Sequence, residues 1–193
     1  MLHLQPICHD AWLKQVDEDL DQILIDHAYC ERKAASTAMA LINAYTEDRD
    51  LCREMKRIIE EELEHFEMVL EILDARQIEF HRLTPGPYGK SLNECIRKRE
   101  PERILDRLLV ASLIEARSCE RFSLLAKHVS QRDPELSVFY AGLFESEARH
   151  HTTYVQLAEK YADRNLVRDR LNELSHQEAE IISAGSSLPR MHS

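Results

Sequence analysis

The sequence predicts an all-α protein, on three observations. Only four of its 193 residues are glycine, while Leu, Glu, Ala and Arg dominate, a composition that favours helix. Apolar residues recur at helical spacing over long stretches. Turn signals fall in a short, long, short order that divides those stretches into two hairpins.

The elements follow in chain order. A first helix is expected from Ala11 to Tyr45, closed by a tight turn at Thr46 to Asp48. A second runs to Ala75. Residues 77 to 100 form a long crossover, with a dense turn signal at Thr84-Pro85-Gly86-Pro87-Tyr88-Gly89 and a short helix expected at Ser91 to Arg97. Pro101 suits the first position of a third helix ending near Ser130. Asp133-Pro134-Glu135 is a cap-and-start signal for a fourth, ending near Tyr161. An additional C-terminal helix runs from Asn165 to Ser183, and the tail, 184–193, reads as disordered. Two antiparallel hairpins joined by one long connection between helices 2 and 3 give the connectivity of a ferritin-like four-helix bundle. The length suits one domain, residues 1–183.

Net charge of −10 argues against a general nucleic-acid coat protein. Five scattered cysteines without a Cys-x-x-Cys pair read as free thiols in a reducing compartment. With no long apolar run and no leader pattern, neither membrane span nor signal peptide is expected, and cytoplasm is the expected location.

Charge appears where the helices should be apolar. One stripe runs Leu51, Met55, Ile58, Glu62, His65, Val69, Leu73; another runs Leu136, Tyr140, Leu143, Glu147, His150, Tyr154, Leu157. Two further stripes carry one glutamate each: Leu20, Leu24, His27, Glu31, Ala35, Ala38, Leu41, and Leu108, Ala111, Glu115, Cys119, Phe122. A buried carboxylate costs several kcal/mol unless something pairs with it. Glu31 precedes Glu62 by 31 residues and Glu115 precedes Glu147 by 32, each pair centred on its turn. Constant helical rise therefore sets each pair at one height on facing helices.

Glu-x-x-His alone is weak evidence, since random placement of 23 glutamates and ten histidines gives about one match. The chain has three. Glu173/His176 lacks a same-height partner, because Gly142 stands where a glutamate would be needed, and reads as solvated surface. The other two matches lie on apolar stripes and repeat each other. The competing reading is buried ion pairing by Arg32, Arg117 or Arg149. Four carboxylates and two imidazoles instead suit two divalent first-row metals, iron or manganese, whose charge four glutamates would balance. Glu120 competes with Glu115 but lies about 140° around the helix. His151 competes with His150, which keeps the i+3 spacing of the first hairpin. His27 reads as a hydrogen-bonded neighbour of the ligands rather than one of them.

Several segments together resemble the bacterial tRNA isopentenyladenosine hydroxylases. These are residues 26–36 (Asp-His-Ala-Tyr-Cys-Glu-Arg-Lys-Ala-Ala-Ser), residues 61–66 (Glu-Glu-Leu-Glu-His-Phe), the Thr-Pro-Gly-Pro-Tyr-Gly loop and residues 145–151 (Glu-Ser-Glu-Ala-Arg-His-His). The resemblance implies a ferritin-like non-haem di-iron monooxygenase with two iron ions per chain and O2 as co-substrate. Its substrate would be 2-methylthio-isopentenyladenosine beside the anticodon of tRNA. Glu31 and Glu115 would be terminal ligands, Glu62 and Glu147 would bridge, and His65 and His150 would cap one iron each. Electrons would come from an external reductase, since no flavin, nicotinamide or rubredoxin-like segment is visible. The densest basic stretch, Lys90, Arg97, Lys98, Arg99 and Arg103, with Arg107 beyond, is the candidate RNA contact. A ferritin-like peroxide-scavenging or iron-sequestering protein is the alternative.

Overall fold

The computed structural model describes residues 2–193, which form seven helices and no strand. These are α1 (Asp10–Glu18), α2 (Leu20–Ala44), α3 (Arg49–Ala75), α4 (Tyr88–Glu94), α5 (Glu102–Val129), α6 (Pro134–Ala158) and α7 (Arg164–Ser183). The chain gathers into two compact units, each containing one long hairpin. No helix among the described residues is long and apolar enough to cross a membrane.

The first hairpin, α2–α3, belongs to the unit made of residues 14–85 and 188–191. The second, α5–α6, belongs to the unit made of residues 2–13, 86–187 and 192–193, together with α4 and α7. The second helix of each hairpin starts on an aspartate. Asp48 Oδ1 accepts from the Leu51 N–H at 2.9 Å and Asp133 Oδ1 from the Leu136 N–H at 3.1 Å. Each satisfies one of the amide donors that a helix start leaves without a partner. Glu62 and Glu147 each lie fourteen residues beyond that cap. Cap and glutamate are therefore about 21 Å apart along both helix axes.

Four boundaries differ from expectation. The first helix is two: Asp19 leaves helical geometry (φ −152°, ψ 68°) and its side chain accepts from the Gln22 N–H, restarting the chain as α2. The short crossover helix begins three residues early, at Tyr88, whose ring is buried. It stops before Arg97 because the Arg97 N–H donates to Asp106 Oδ2 at 2.9 Å, drawing the backbone out of helix. α6 ends at Ala158, where the Lys160 and Tyr161 N–H groups bond three residues back and tighten the last turn.

The expected disordered tail is packed. In the α2–α3 unit Met191 is fully buried and its N–H donates to Asp26 Oδ2 at 2.9 Å, while Arg190 Nη2 donates to the Thr84 carbonyl at 2.7 Å. In the α5–α6 unit the His192 ring stacks on Tyr88, centroids 4.8 Å apart, and Ser193 O accepts from Arg121 Nη2 at 3.0 Å. A buried methionine and a carboxylate that receives a backbone N–H hold the segment, though its composition reads as linker.

Candidate metal centre

Each hairpin carries one triad. On α2–α3, Glu31, Glu62 and His65 are 4%, 0% and 7% exposed, and each offers a ligand atom within 4.8 Å of the other two. On α5–α6, Glu115, Glu147 and His150 are 4%, 2% and 2% exposed and meet the same distance limit. His65 Nδ1 lies 3.8 Å from Glu62 Oε2, and His150 Nδ1 lies 4.0 Å from Glu147 Oε2. The i, i+3 spacing sets both groups on one helix face, and the two hairpins build the same local geometry independently.

His27 completes the first triad. It is fully buried on α2, one turn before Glu31, and its Nε2 faces Glu31 Oε1. Burial, and then the neighbouring His65, push its pKa down to about 3 against the opposing pull of Glu62. The ring is therefore neutral at ordinary pH and donates an N–H to the carboxylate, which fixes its orientation.

The second triad has Cys119 beside it. Burial, then the charges of Glu147 and Glu115, raise this thiol far above its ordinary pKa. The thiol is not among the side chains that gather within 4.8 Å of one another, which are carboxylates and imidazoles.

Two of the arginines that might have neutralised these carboxylates as ion pairs, Arg32 and Arg117, are placed otherwise. The Arg32 guanidinium lies over the Tyr29 ring, 4.6 Å from its centroid. Arg117 donates to both oxygens of Glu178, at 2.8 and 2.6 Å, and also contacts Glu120. Glu120 is thus part of an arginine pair. His151 Nδ1 donates to the Ser112 carbonyl at 2.8 Å. His176 donates to the Asn172 carbonyl at 2.7 Å on an exposed surface, and Glu173 pairs with Arg170. A set of four carboxylates and two imidazoles on two buried faces fits hard, divalent first-row metal ions.

The basic stretch divides. Lys90 lies 4.0 Å from Glu94. Arg97 is held by Asp106, Nε to Oδ2 at 2.8 Å and Nη2 to Oδ1 at 2.7 Å, and Arg170 donates to the same carboxylate at 2.9 and 2.8 Å. Burial pushes Asp106 upward, but these donors outweigh it and hold the carboxyl at about 2. Lys98, Arg99 and Arg103 are exposed and make no ion pair among the described residues. Sequence reading missed Arg170 and Asp106, since a pair between α5 and α7 leaves no local spacing signal.

The sequence profile of the family described as tRNA-(MS[2]IO[6]A)-hydroxylase (MiaE) matches residues 2–193. A protein of Pseudomonas putida, described as tRNA 2-(methylsulfanyl)-N(6)-isopentenyladenosine(37) hydroxylase, is 40% identical over 95% of this chain and 88% of its own. One of Salmonella typhimurium with the same description is 30% identical over 95% of this chain and 84% of its own. Among solved structures, a Synechococcus protein described as having aldehyde deformylating oxygenase activity is similar with a TM-score of 0.90. It is 42% identical over 95% of this chain and 92% of that one. The fold is the all-helical ferritin-like one expected from the connectivity. A profile match across the described chain and two relatives at 30% identity or more place this protein in the tRNA-(MS[2]IO[6]A)-hydroxylase (MiaE) family.

Proposed function

We propose that the two triads are the halves of one di-iron centre, and that this chain hydroxylates the isopentenyl side chain of 2-methylthio-isopentenyladenosine in tRNA, next to the anticodon. The observation that carries the reading is the repeat itself: a buried glutamate facing a buried Glu-x-x-His on each hairpin, in a chain of this family. Two divalent ions would match four carboxylate charges and leave the buried site near neutral. Glu31 and Glu115 would be terminal ligands, Glu62 and Glu147 bridging ligands, and His65 and His150 one cap for each ion. A bound iron pair would supply electrons to O2 for insertion of one oxygen atom into a C–H bond, the other leaving as water, and an external reductase would restore those electrons.

The chain's own residues set the conditions for that chemistry. His27 orients Glu31 through a neutral N–H. Ala35 and Ala38 on one hairpin, and Ala111 and Ser112 on the other, are small and buried, side chains short enough to suit a prenyl group, and the Ser112 hydroxyl donates to the Leu109 carbonyl at 2.7 Å. Leu143, Tyr140 and Tyr154 bury the face that carries Glu147 and His150, which keeps bulk water from a reactive site.

The test is to load the reduced chain with iron, add O2 and isopentenylated tRNA, and analyse the digested nucleosides by mass. Gain of one oxygen atom on the modified adenosine is the expected result; no gain with iron bound would sink the reading. A second reading rests on the 42% identity to the Synechococcus protein: deformylating oxygenation of an aldehyde. The same preparation given that aldehyde and no RNA decides it, by release of a hydrocarbon one carbon shorter. Loss of added peroxide without RNA would instead favour a scavenging protein.

A further inference from the structure

A recess of about 480 Å³ opens in the α5–α6 unit, where the chain leaves α4 and enters α5. Its lining is Asn93, Ile96, Arg97, Lys98, Arg103 and Arg107. Four cations and no carboxylate line one concavity, in a chain whose net charge is −10. The excess is therefore local, and three nearby acids contact other groups. Asp106 is buried against Arg97 and Arg170. Glu100 Oε2 accepts the Ile104 N–H at 3.1 Å at the start of α5, and Glu94 lies beside Lys90.

We propose that this recess is a phosphate-binding pocket for the backbone of the RNA substrate. Lys98 and Arg103 are its contacting cations, Arg107 and Asn93 complete its wall, and Arg97 is a positioning residue. The proposal rests on the RNA-hydroxylase reading for its ligand. Its lining suits a phosphodiester: a concavity focuses the field of several cations onto one anion, and the Asn93 amide, one N–H of which bonds the Gly89 carbonyl at 2.7 Å, keeps a second N–H as a neutral donor. Lys98 and Arg103 have no ion pair among the described residues to break before they take a phosphate. Arg97 differs, because two bonds to the Asp106 carboxylate and one from its own backbone N–H fix the loop that presents Lys98. Of the five cations read from the sequence as RNA contacts, Lys90 and Arg99 lie outside the lining, and Arg107 joins it.

The experiment compares binding of an anticodon stem-loop carrying the isopentenylated adenosine across a salt series. The proteins are the full chain, the double variant Lys98→Glu/Arg103→Glu, and a control of equal charge change on exposed residues elsewhere, Lys14→Glu/Arg53→Glu. Arg97 is left alone because its reversal would set a carboxylate against Asp106. Iron content and melting temperature are read on all three to show that they fold. The pocket variant should bind about 10- to 100-fold more weakly at moderate salt, with the log–log salt slope reduced by about one for each cation removed, while the control keeps most of both. Unchanged affinity and slope in the pocket variant would overturn the pocket and leave the hydroxylase reading standing. An equal loss in the control would overturn it too, as a general charge effect. Pyrophosphate that displaces the stem-loop at equal concentration would identify a free-polyphosphate site instead. A wild-type chain that does not bind the stem-loop at all would remove the hydroxylase reading first.

Discussion

His27 and Glu31 meet across one turn of α2, the imidazole Nε2 against a carboxylate oxygen, on a helix face closed to solvent. A neutral histidine in that position orients the Glu31 carboxylate and removes none of its charge. His27→Ala should therefore weaken iron binding about 10- to 100-fold, measured by titration of Fe(II) into the metal-free chain. His27→Gln, which keeps a donor, should recover part of the loss. Equal affinity in wild type and alanine variant would show that His27 serves packing alone.

The ligand assignment is tested by stoichiometry. Glu62→Ala and Glu147→Ala each remove a proposed bridging carboxylate, and each should abolish binding of two irons per chain. If both variants still bind two, the assignment is wrong, whatever their activity.

Asp106 carries a pH prediction. Its folded pKa, about 2, lies below its ordinary 3.8. The carboxylate therefore contributes stability that is full above pH 3.8 and lost as pH falls toward 2, about 2 kcal/mol in all. Asp106→Asn leaves Arg97 and Arg170 facing a neutral amide, and should cost about 3–5 kcal/mol at neutral pH, read as a shift in the urea midpoint. The difference in stability between wild type and variant should shrink as pH is lowered through that window. A constant difference would show that charge is not what the pair contributes.

Tyr88 links α4 to α7 through its hydroxyl, which donates to Glu178 Oε1 at 2.8 Å, beside Arg117 on the same carboxylate. Tyr88→Phe removes one bond to a charged acceptor and should cost about 2 kcal/mol, with a lower melting temperature and unchanged iron stoichiometry. No change in melting would mean that Arg117 alone satisfies Glu178.

The metal-ligand candidates were legible in the sequence because a glutamate on an apolar stripe contradicts its surroundings, and contradiction is a local signal. The turn-centred spacing then sorted Glu62 and Glu147 from Glu173, and the structure puts Glu173 on the surface with Arg170. Asp19 was not legible as a break, since Asp17-Glu18-Asp19 reads equally as the solvated face of a continuing helix. Arg97 looked like a surface cation because its partner Asp106 lies on the next helix, and Arg170 much later in the chain. The tail hid its order for the same reason: Met191 and Arg190 are anchored by Asp26 and Thr84, far away in sequence.

In the proposed reaction, oxygen passes from O2 to the prenyl group of an RNA nucleoside at a di-iron centre. That transfer is tested most directly by one turnover of the reduced, iron-loaded chain on isopentenylated tRNA under ¹⁸O-labelled O2, followed by digestion and mass analysis. One labelled oxygen on the isopentenyl chain of the modified adenosine is the expected result. An unlabelled hydroxyl, or no hydroxyl while two irons remain bound, would contradict it.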